Sequence, residues 1–384
     1  MAIVTHLKSR DIFQIIEIDF KKTYYVIDLF ILEKDYAIII KSSKFKNEIK
    51  QIFKKNGKIN INEIETKFLG ENRNEIKDSF KNIINIGFTL DPGYILQTML
   101  TIASIMKTQN NTTKIVFHFG VTDQFTAENM LKMYELKRRI NNLTEFNYYY
   151  LKDAIKKMKN FHYKGAACPG KFELPELIPD KIKKLLLFDA GDVLVFRDLT
   201  ELYNYDMKDY WVLGTPEATC IYLNNDKYNI TKYINIGSLL LNAEKLKKVK
   251  FWNYYTNNRH LPTKGLPDQS LFNILVPDNK KDYIPFRFGG LSPFANDQNS
   301  DKLEYYEYGF KKWLNSSLSS TFPENPKSLD RLTAQLYNPV FIHQWNGKWY
   351  EGKGLSIYRH LAKYFIKLAG IWDELCQIKP GYCI

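Results

Sequence analysis

The chain has 384 residues, a formal net charge of +13 at pH 7, and is 45% apolar and 15% aromatic. That is ample for a buried core, so the composition excludes an intrinsically disordered chain, and the length fits one large α/β domain or two smaller ones. The charge favours anionic partners. Lys pairs such as Lys54-Lys55 and Lys247-Lys248 are scattered, however, which reads as a solvated basic surface. With no recognition motif present, nucleic acid is not expected as a partner.

The four cysteines, Cys168, Cys220, Cys376 and Cys383, lack the CxxC spacing of a zinc site. Cys376 and Cys383 could pair near the C-terminus, though nothing in the sequence requires it. No apolar run approaches the ~18–20 residues of a membrane span, and no signal-peptide h-region follows Met1. The expected location is therefore the cytoplasm, with a secretory or Golgi lumen as the alternative. Asn-x-Ser/Thr matches at Asn110, Asn111, Asn142, Asn229 and Asn315 carry little weight in so Asn-rich a chain.

Residues 1–80 read as an extension of mainly β character. Phe13–Phe20, Tyr24–Leu32 and Tyr36–Lys41 are β-branched and aromatic runs that predict a small antiparallel meander, and Lys44–Lys55 predicts a basic helix. No catalytic pattern occurs there, and the sequence does not choose between an accessory domain, an oligomerisation element and a packing extension. A homodimer is one possibility that follows.

From residue 81 onward strands and helices alternate. The strand Ile83–Leu90 meets Asp91-Pro92-Gly93-Tyr94, and a helix is predicted over Ile95–Lys107. This strand-loop-helix opening is that of a nucleotide-binding α/β fold, although neither GxGxxG nor a P-loop is present. A second strand, Lys114–Gly120, a helix, Thr126–Ile140, and a third strand, Phe146–Leu151, follow. His118 lies inside the second strand and reads as a packed residue rather than a ligand.

The organising stretch is Lys184–Phe196. Its apolar run, long enough for a buried strand and too short for a helix, stops at Asp189, and a second carboxylate follows at Asp192. Buried on both faces, such a strand would be central in a parallel sheet, and its carboxyl end is where open α/β sheets bind ligands. Two carboxylates there repel unless a cation lies between them, and oxygen ligands suit Mg²⁺ or Mn²⁺. An Asp-Gly turn after a strand is the plainer alternative. A later strand is expected at Trp211–Gly214, and the segments Tyr233–Asn242, Leu266–Asn273 and Phe341–Trp349 follow it. A surface excursion is expected over 292–326, and an amphipathic helix over Leu355–Leu375.

Several motifs in order resemble glycosyltransferase family 8, a family of retaining, metal-dependent nucleotide-sugar transferases. The resemblance runs from about Ile84 to Trp349. Phe88-Thr89-Leu90-Asp91-Pro92-Gly93-Tyr94 is similar to its first nucleotide-binding loop, with Gly93 where Asn is usual. Leu174-Pro175-Glu176-Leu177-Ile178-Pro179 matches the approach to its metal strand, with Lys171 where an Arg is common. Asp189-Ala190-Gly191-Asp192 resembles its Asp-x-Asp with one residue inserted. Tyr233-Ile234-Asn235-Ile236-Gly237-Ser238 is similar to its Phe-Asn-x-Gly segment, and Asp268-Gln269 to the segment lining the sugar, with Ser270 replacing a second Asp.

The resemblance implies a GT-A type fold, a Rossmann-like mixed α/β sheet flanked by helices, over residues 81–384. It implies a UDP-sugar donor, Mn²⁺ (or Mg²⁺) held by Asp189, Asp192 and His343, and an acceptor that is a glycan, protein or small molecule. Thr89, Asp91, Tyr94, Lys171, Asp189, Gly347 and Lys348 would bind the nucleotide, and Asp268, Gln269 and Asn235 would serve the reactive sugar. Gln269 is a poor nucleophile, which inclines the mechanism toward front-face attack with Asp268 orienting the sugar. Two alternatives stand beside it: a haloacid-dehalogenase-type phosphatase with Asp189 as nucleophile, in which Gly191 occupies the general acid's position, and an inactive transferase-fold binding protein.

Overall fold

The structure is a computed structural model that describes residues 2–6, 13–16, 27–32, 35–40, 80, 82–110, 112–122, 125–140, 144–158, 161, 165–216, 227–263, 266–285, 288–291, 340–343 and 356–378. Four short strands come first: β1 (Ala2–His6), β2 (Phe13–Ile16), β3 (Ile27–Leu32) and β4 (Asp35–Ile40). Then follow β5 (Asn82–Leu90), α1 (Ile95–Thr108), β6 (Thr113–Val121), α2 (Ala127–Ile140), β7 (Glu145–Tyr150) and α3 (Lys152–Met158). Two single-turn helices, α4 (Ala167–Gly170) and α5 (Leu174–Leu177), lead into β8 (Lys184–Phe188) and β9 (Val193–Val195).

The second half contains α6 (Thr200–Asn204), β10 (Val212–Pro216), β11 (Ile234–Asn242), α7 (Ala243–Lys248), α8 (Phe251–Asn257) and α9 (Pro267–Leu275). The last elements are β12 (Lys281–Tyr283), β13 (Gly289–Leu291), β14 (Phe341–His343), α10 (Ser356–Ala369) and α11 (Trp372–Ile378).

Among the described residues, eleven strands form one mixed sheet in the order β12-β10-β11-β8-β5-β6-β7-β2-β1-β3-β4. β5, β6, β7 and β8 run parallel, so their carboxyl ends share one edge. β8 is central, as its apolar run predicts, but the sheet is mixed there, because β11 pairs with it antiparallel. Side chains of a strand alternate between faces. Leu186 and Phe188 accordingly join the core under α1, α2 and α10, whereas Leu185 and Leu187 join the core under α8 and α9. A strand that feeds two cores has no polar face, which is why its sequence shows no alternation.

The N-terminal strands depart from the expected meander. β1, which the sequence reading passed over, lies between β2 and β3 and pairs parallel with β3, and β2 continues the main sheet by pairing with β7. The helix expected over Lys44–Lys55 and the excursion expected over 292–326 lie outside the described residues. The C-terminal helix is two helices. Gly370, at φ +71°, ends α10 in the left-handed conformation that favours glycine, and the Arg139 guanidinium fills the space a side chain there would need. Cys376 in α11 is disulfide-bonded, Cys168 is not in a disulfide, and Cys383 lies outside the described residues. Among the described residues no helix is long and apolar enough to cross a membrane.

His118 is buried and hydrogen-bonded. Nε2 lies 3.0 Å from the Asn85 side-chain carbonyl, and Nδ1 lies 3.0 Å from the Tyr149 hydroxyl. Asn85 gives its amide N–H to Tyr203, so its oxygen must accept, and the ring proton sits on Nε2. Burial pushes this imidazole down to about 4, which keeps it neutral.

Glu173 joins the segment before β8 to the first turn of α3. Its carboxylate accepts from the N–H groups of Asp153 (3.1 Å) and Ala154 (2.8 Å). Burial raises its pKa to about 7, against the opposing pull of those two N–H groups. An acid whose folded pKa lies above its unfolded value weakens the fold as it ionises, so the penalty is absent below about 4.5 and complete above about 7. The Tm of Glu173→Gln relative to the parent should therefore rise as pH is taken from about 5 to about 8 in calorimetric scans. A pH-independent difference would mean that Glu173 ionises as an exposed glutamate does.

Candidate active site

The carboxyl edge of the parallel strands carries a cleft lined by Thr89, Asp91, Tyr94, Ala167, Cys168, Lys171, Asp189, Ala190 and Asp192. All the nucleotide-binding candidates among the described residues line it: Thr89, Asp91, Tyr94, Lys171 and Asp189. Gly347 and Lys348 lie outside the described residues. The location is that expected of ligands in open α/β sheets, beyond the strand ends.

Asp91 follows β5 and accepts a hydrogen bond from Thr122 Oγ1 at 2.7 Å. Thr122 follows β6 in register, with its N–H on the Leu90 carbonyl. Sequence reasoning passed over Thr122. Its place immediately beyond the second parallel strand is the signal that could have found it.

Asp189 and Asp192 flank a tight turn. The Asp189 N–H donates to the Gly237 carbonyl at 2.7 Å, extending the β8–β11 ladder by one residue. Gly191 has φ +79°, a conformation that L side chains rarely adopt, and a Cβ there would fall 2.2 Å from Cβ of Gln97 in α1. The two-residue spacer therefore holds the carboxylates on one side of a glycine turn. After it the chain runs directly into β9, which pairs antiparallel with β14, and the register sets His343 opposite Val193. A residue far along the chain is thereby delivered beside Asp192.

One ligand atom from each of Asp189, Asp192 and His343 lies within 4.8 Å of the others. Two carboxylates and one imidazole suit a divalent cation of the Mg²⁺/Mn²⁺ class and leave coordination positions for an anionic substrate. Gly237 makes the arrangement possible. A Cβ on it would lie 2.1 Å from Cε1 of His343 and 2.9 Å from Oδ2 of Asp189.

Lys171 is 3% exposed and extends from the end of α4 to Asp189, with Nζ 2.5 Å from Oδ1 and 3.4 Å from the Ile236 carbonyl. Burial opposes its charge, but Asp189 and Asp268 outweigh burial and hold the ammonium above its ordinary range. Next to it Phe172 is locked in the core, stacked on Phe272 of α9 at 4.6 Å and edge-on to Phe251 of α8. The three sugar-side candidates are buried beside the cleft. Asn235 Oδ1 accepts from Gly237 N at 2.8 Å, Asp268 is 4% exposed, and Gln269 Oε1 accepts from Ile236 N at 3.2 Å. The Gln269 amide nitrogen is buried and has no hydrogen-bond partner among the described residues.

Solved structures share this architecture. The bifunctional glycosyltransferase WbbM superposes with a TM-score of 0.60 at 13% identity, over 78% of this chain and 52% of WbbM, so the chain spans about half of that protein's length. The galactosyltransferase LgtC, solved with donor and acceptor sugar analogues, superposes with a TM-score of 0.50 at 20% identity, over 75% of this chain and 95% of LgtC. No curated protein matches the sequence. The fold is GT-A. Residues 85–307 match glycosyl transferase family 8, and the chain belongs to that family. The phosphatase alternative falls with that assignment.

Because Gly237 leaves no room for a side chain beneath His343, Gly237→Ala must displace the imidazole or Asp189. Divalent-cation affinity should fall about 10–100-fold, the range seen when the residues orienting metal ligands are changed. Titration calorimetry with Mn²⁺ reads this directly, and unchanged affinity would remove His343 from the site.

Proposed function

We propose that the protein transfers a hexose or related sugar from a UDP-sugar to an acceptor with retention of anomeric configuration, using a divalent cation bound by Asp189, Asp192 and His343. The observation that carries this is the meeting of those three side chains at the carboxyl edge of the sheet, in the cleft lined by Asp91, Tyr94 and Lys171. Residues 81–384 form the transferase unit in this account, and residues 1–80 an extension on it.

Asp91 and Tyr94 hold the base and ribose. Thr122 fixes the Asp91 carboxylate, so its outer oxygen is presented in one orientation. Mn²⁺ or Mg²⁺, when bound, neutralises the charge that develops on the diphosphate as the glycosidic bond breaks. Neutral His343 completes the ligand set without adding a negative charge. Gly347 and Lys348, which follow His343 in sequence, are assigned to the diphosphate by their resemblance to the family pattern.

Lys171 lies between the nucleotide side, through Asp189, and the sugar side, through Asp268. Its position sets one ammonium between the two carboxylates. Asn235 and Asp268 fix sugar hydroxyls. The unpaired Gln269 amide is a buried donor whose desolvation costs about 1–3 kcal/mol, a cost that a sugar hydroxyl or the donor's oxygen would offset. An amide is a poor nucleophile, and this favours attack by the acceptor on the face from which UDP departs, with Asp268 orienting the sugar.

The test is UDP release from a panel of UDP-sugars with Mn²⁺, for the parent protein and Asp192→Ala. Slow Mn²⁺-dependent hydrolysis of one sugar nucleotide is expected, falling at least ~100-fold in the variant, as for loss of a group that stabilises the departing charge. Absence of both turnover and Mn²⁺-dependent UDP binding would overturn the proposal in favour of an inactive binding protein.

A further inference from the structure

The sugar-side residues are held in place by polar bonds as well as by the apolar core that Leu271, Phe272 and Leu275 share with β11. Helix α9, which carries Asp268 and Gln269, docks on the start of β11, which carries Asn235, through three side chains of one helix face. Gln269 accepts from Ile236 N, and Ser270 Oγ lies 2.7 Å from the Tyr233 hydroxyl. Asn273, one turn after Gln269 and 1% exposed, makes the most contacts. Its Oδ1 accepts from Ile234 N at 2.7 Å, and its Nδ2 donates to the carbonyls of Ile234 (2.8 Å) and Gln269 (2.9 Å).

The strand pairing accounts for this clamp. Ile234 faces Pro216 across the β10–β11 ladder, just beyond the register shift at Gly214/Thr215. Ile234 is buried, so the main-chain groups that β10 does not pair need partners from elsewhere. The Asn273 side chain acts as a stand-in strand, satisfying both main-chain groups of Ile234, and its second donated bond holds the helix backbone at Gln269.

We infer that Asn273 is a positioning residue for glycosyl transfer: it sets the spacing between Asn235 on β11 and Asp268 and Gln269 on α9. This rests on the assignment of those three residues to the donor sugar. The metal side does not depend on the clamp. Asp189 and Gly237 are joined by the β8–β11 ladder, and His343 is placed by β14 on β9. Releasing the clamp therefore lets α9 shift against β11 while the nucleotide and metal half stays in place. A displacement of about 1 Å at a reacting centre can cost on the order of 10²-fold in rate.

Two variants test the inference. Asn273→Ala removes all three bonds. Asn273→Asp keeps the volume and the acceptor for Ile234 N, but removes both donated bonds and sets a carboxylate against two carbonyl oxygens. In Mn²⁺-dependent UDP-sugar hydrolysis, kcat should fall roughly 10–100-fold in both, with KM for the donor and Kd for UDP within about twofold of the parent. Parental kcat in either folded variant overturns the inference, as does a parallel loss of UDP affinity. If Asn273→Ala does not fold, Asn273→Asp decides, and failure of both to fold would assign the clamp to stability alone. A parent protein without Mn²⁺-dependent UDP binding or turnover would instead refute the transferase assignment on which the clamp's role depends.

Discussion

Strand β8 ends against a glycine, and the site depends on it. Asp189 continues the strand by one hydrogen bond to Gly237 on β11, and the missing side chain at 237 leaves the volume into which His343 and Asp189 both reach. Two carboxylates on one turn are an unfavourable arrangement alone. Here they stand opposite an imidazole brought by β14 and an ammonium brought by the segment after α4. Any side chain at position 237 would force one of these groups away.

Lys171 is buried, paired with Asp189 and within the field of Asp268, so its charge is compensated on both sides. A lone buried ammonium would be costly, and the same residue between two carboxylates is not. The residues that hold these groups come from different layers. Phe172 anchors Lys171 in the core under α8 and α9, Gln97 packs beneath the Gly191 turn from α1, and Asn273 ties α9 to β11. Strand pairing places the metal-side residues, and side-chain hydrogen bonds together with the core under α8 and α9 place the sugar-side ones.

Much of this was legible in the chain. The unbroken apolar run of β8, with two carboxylates at its end, announces a strand buried on both faces that ends at a ligand site, because only such a strand can dispense with alternation. Thr89, Asp91, Tyr94, Lys171, Asp189 and Asp192 were nominated from sequence, and they line one cleft. The antiparallel β8–β11 pairing was not legible, since an apolar run gives no direction to its neighbour. The N-terminal order was misjudged for a related reason. Consecutive strands suggest hairpins, whereas β1 and β3 pair in parallel across β2's connection. The break at Gly370 was hidden by an apolar period that continues through it.

The sequence by itself determined the composition of the site: two carboxylates at a strand's end, a glycine within their turn, and a resemblance to a family pattern that runs on to His343. Those are properties of residue type and spacing, which a chain displays whether folded or not. Only the tertiary structure decided the roles of Gly237, Thr122, Gln97 and Asn273. Each acts on a partner distant in sequence, through a missing Cβ, one oriented hydrogen bond or a borrowed strand pairing. Such effects exist only once the sheet has set two segments a few ångströms apart.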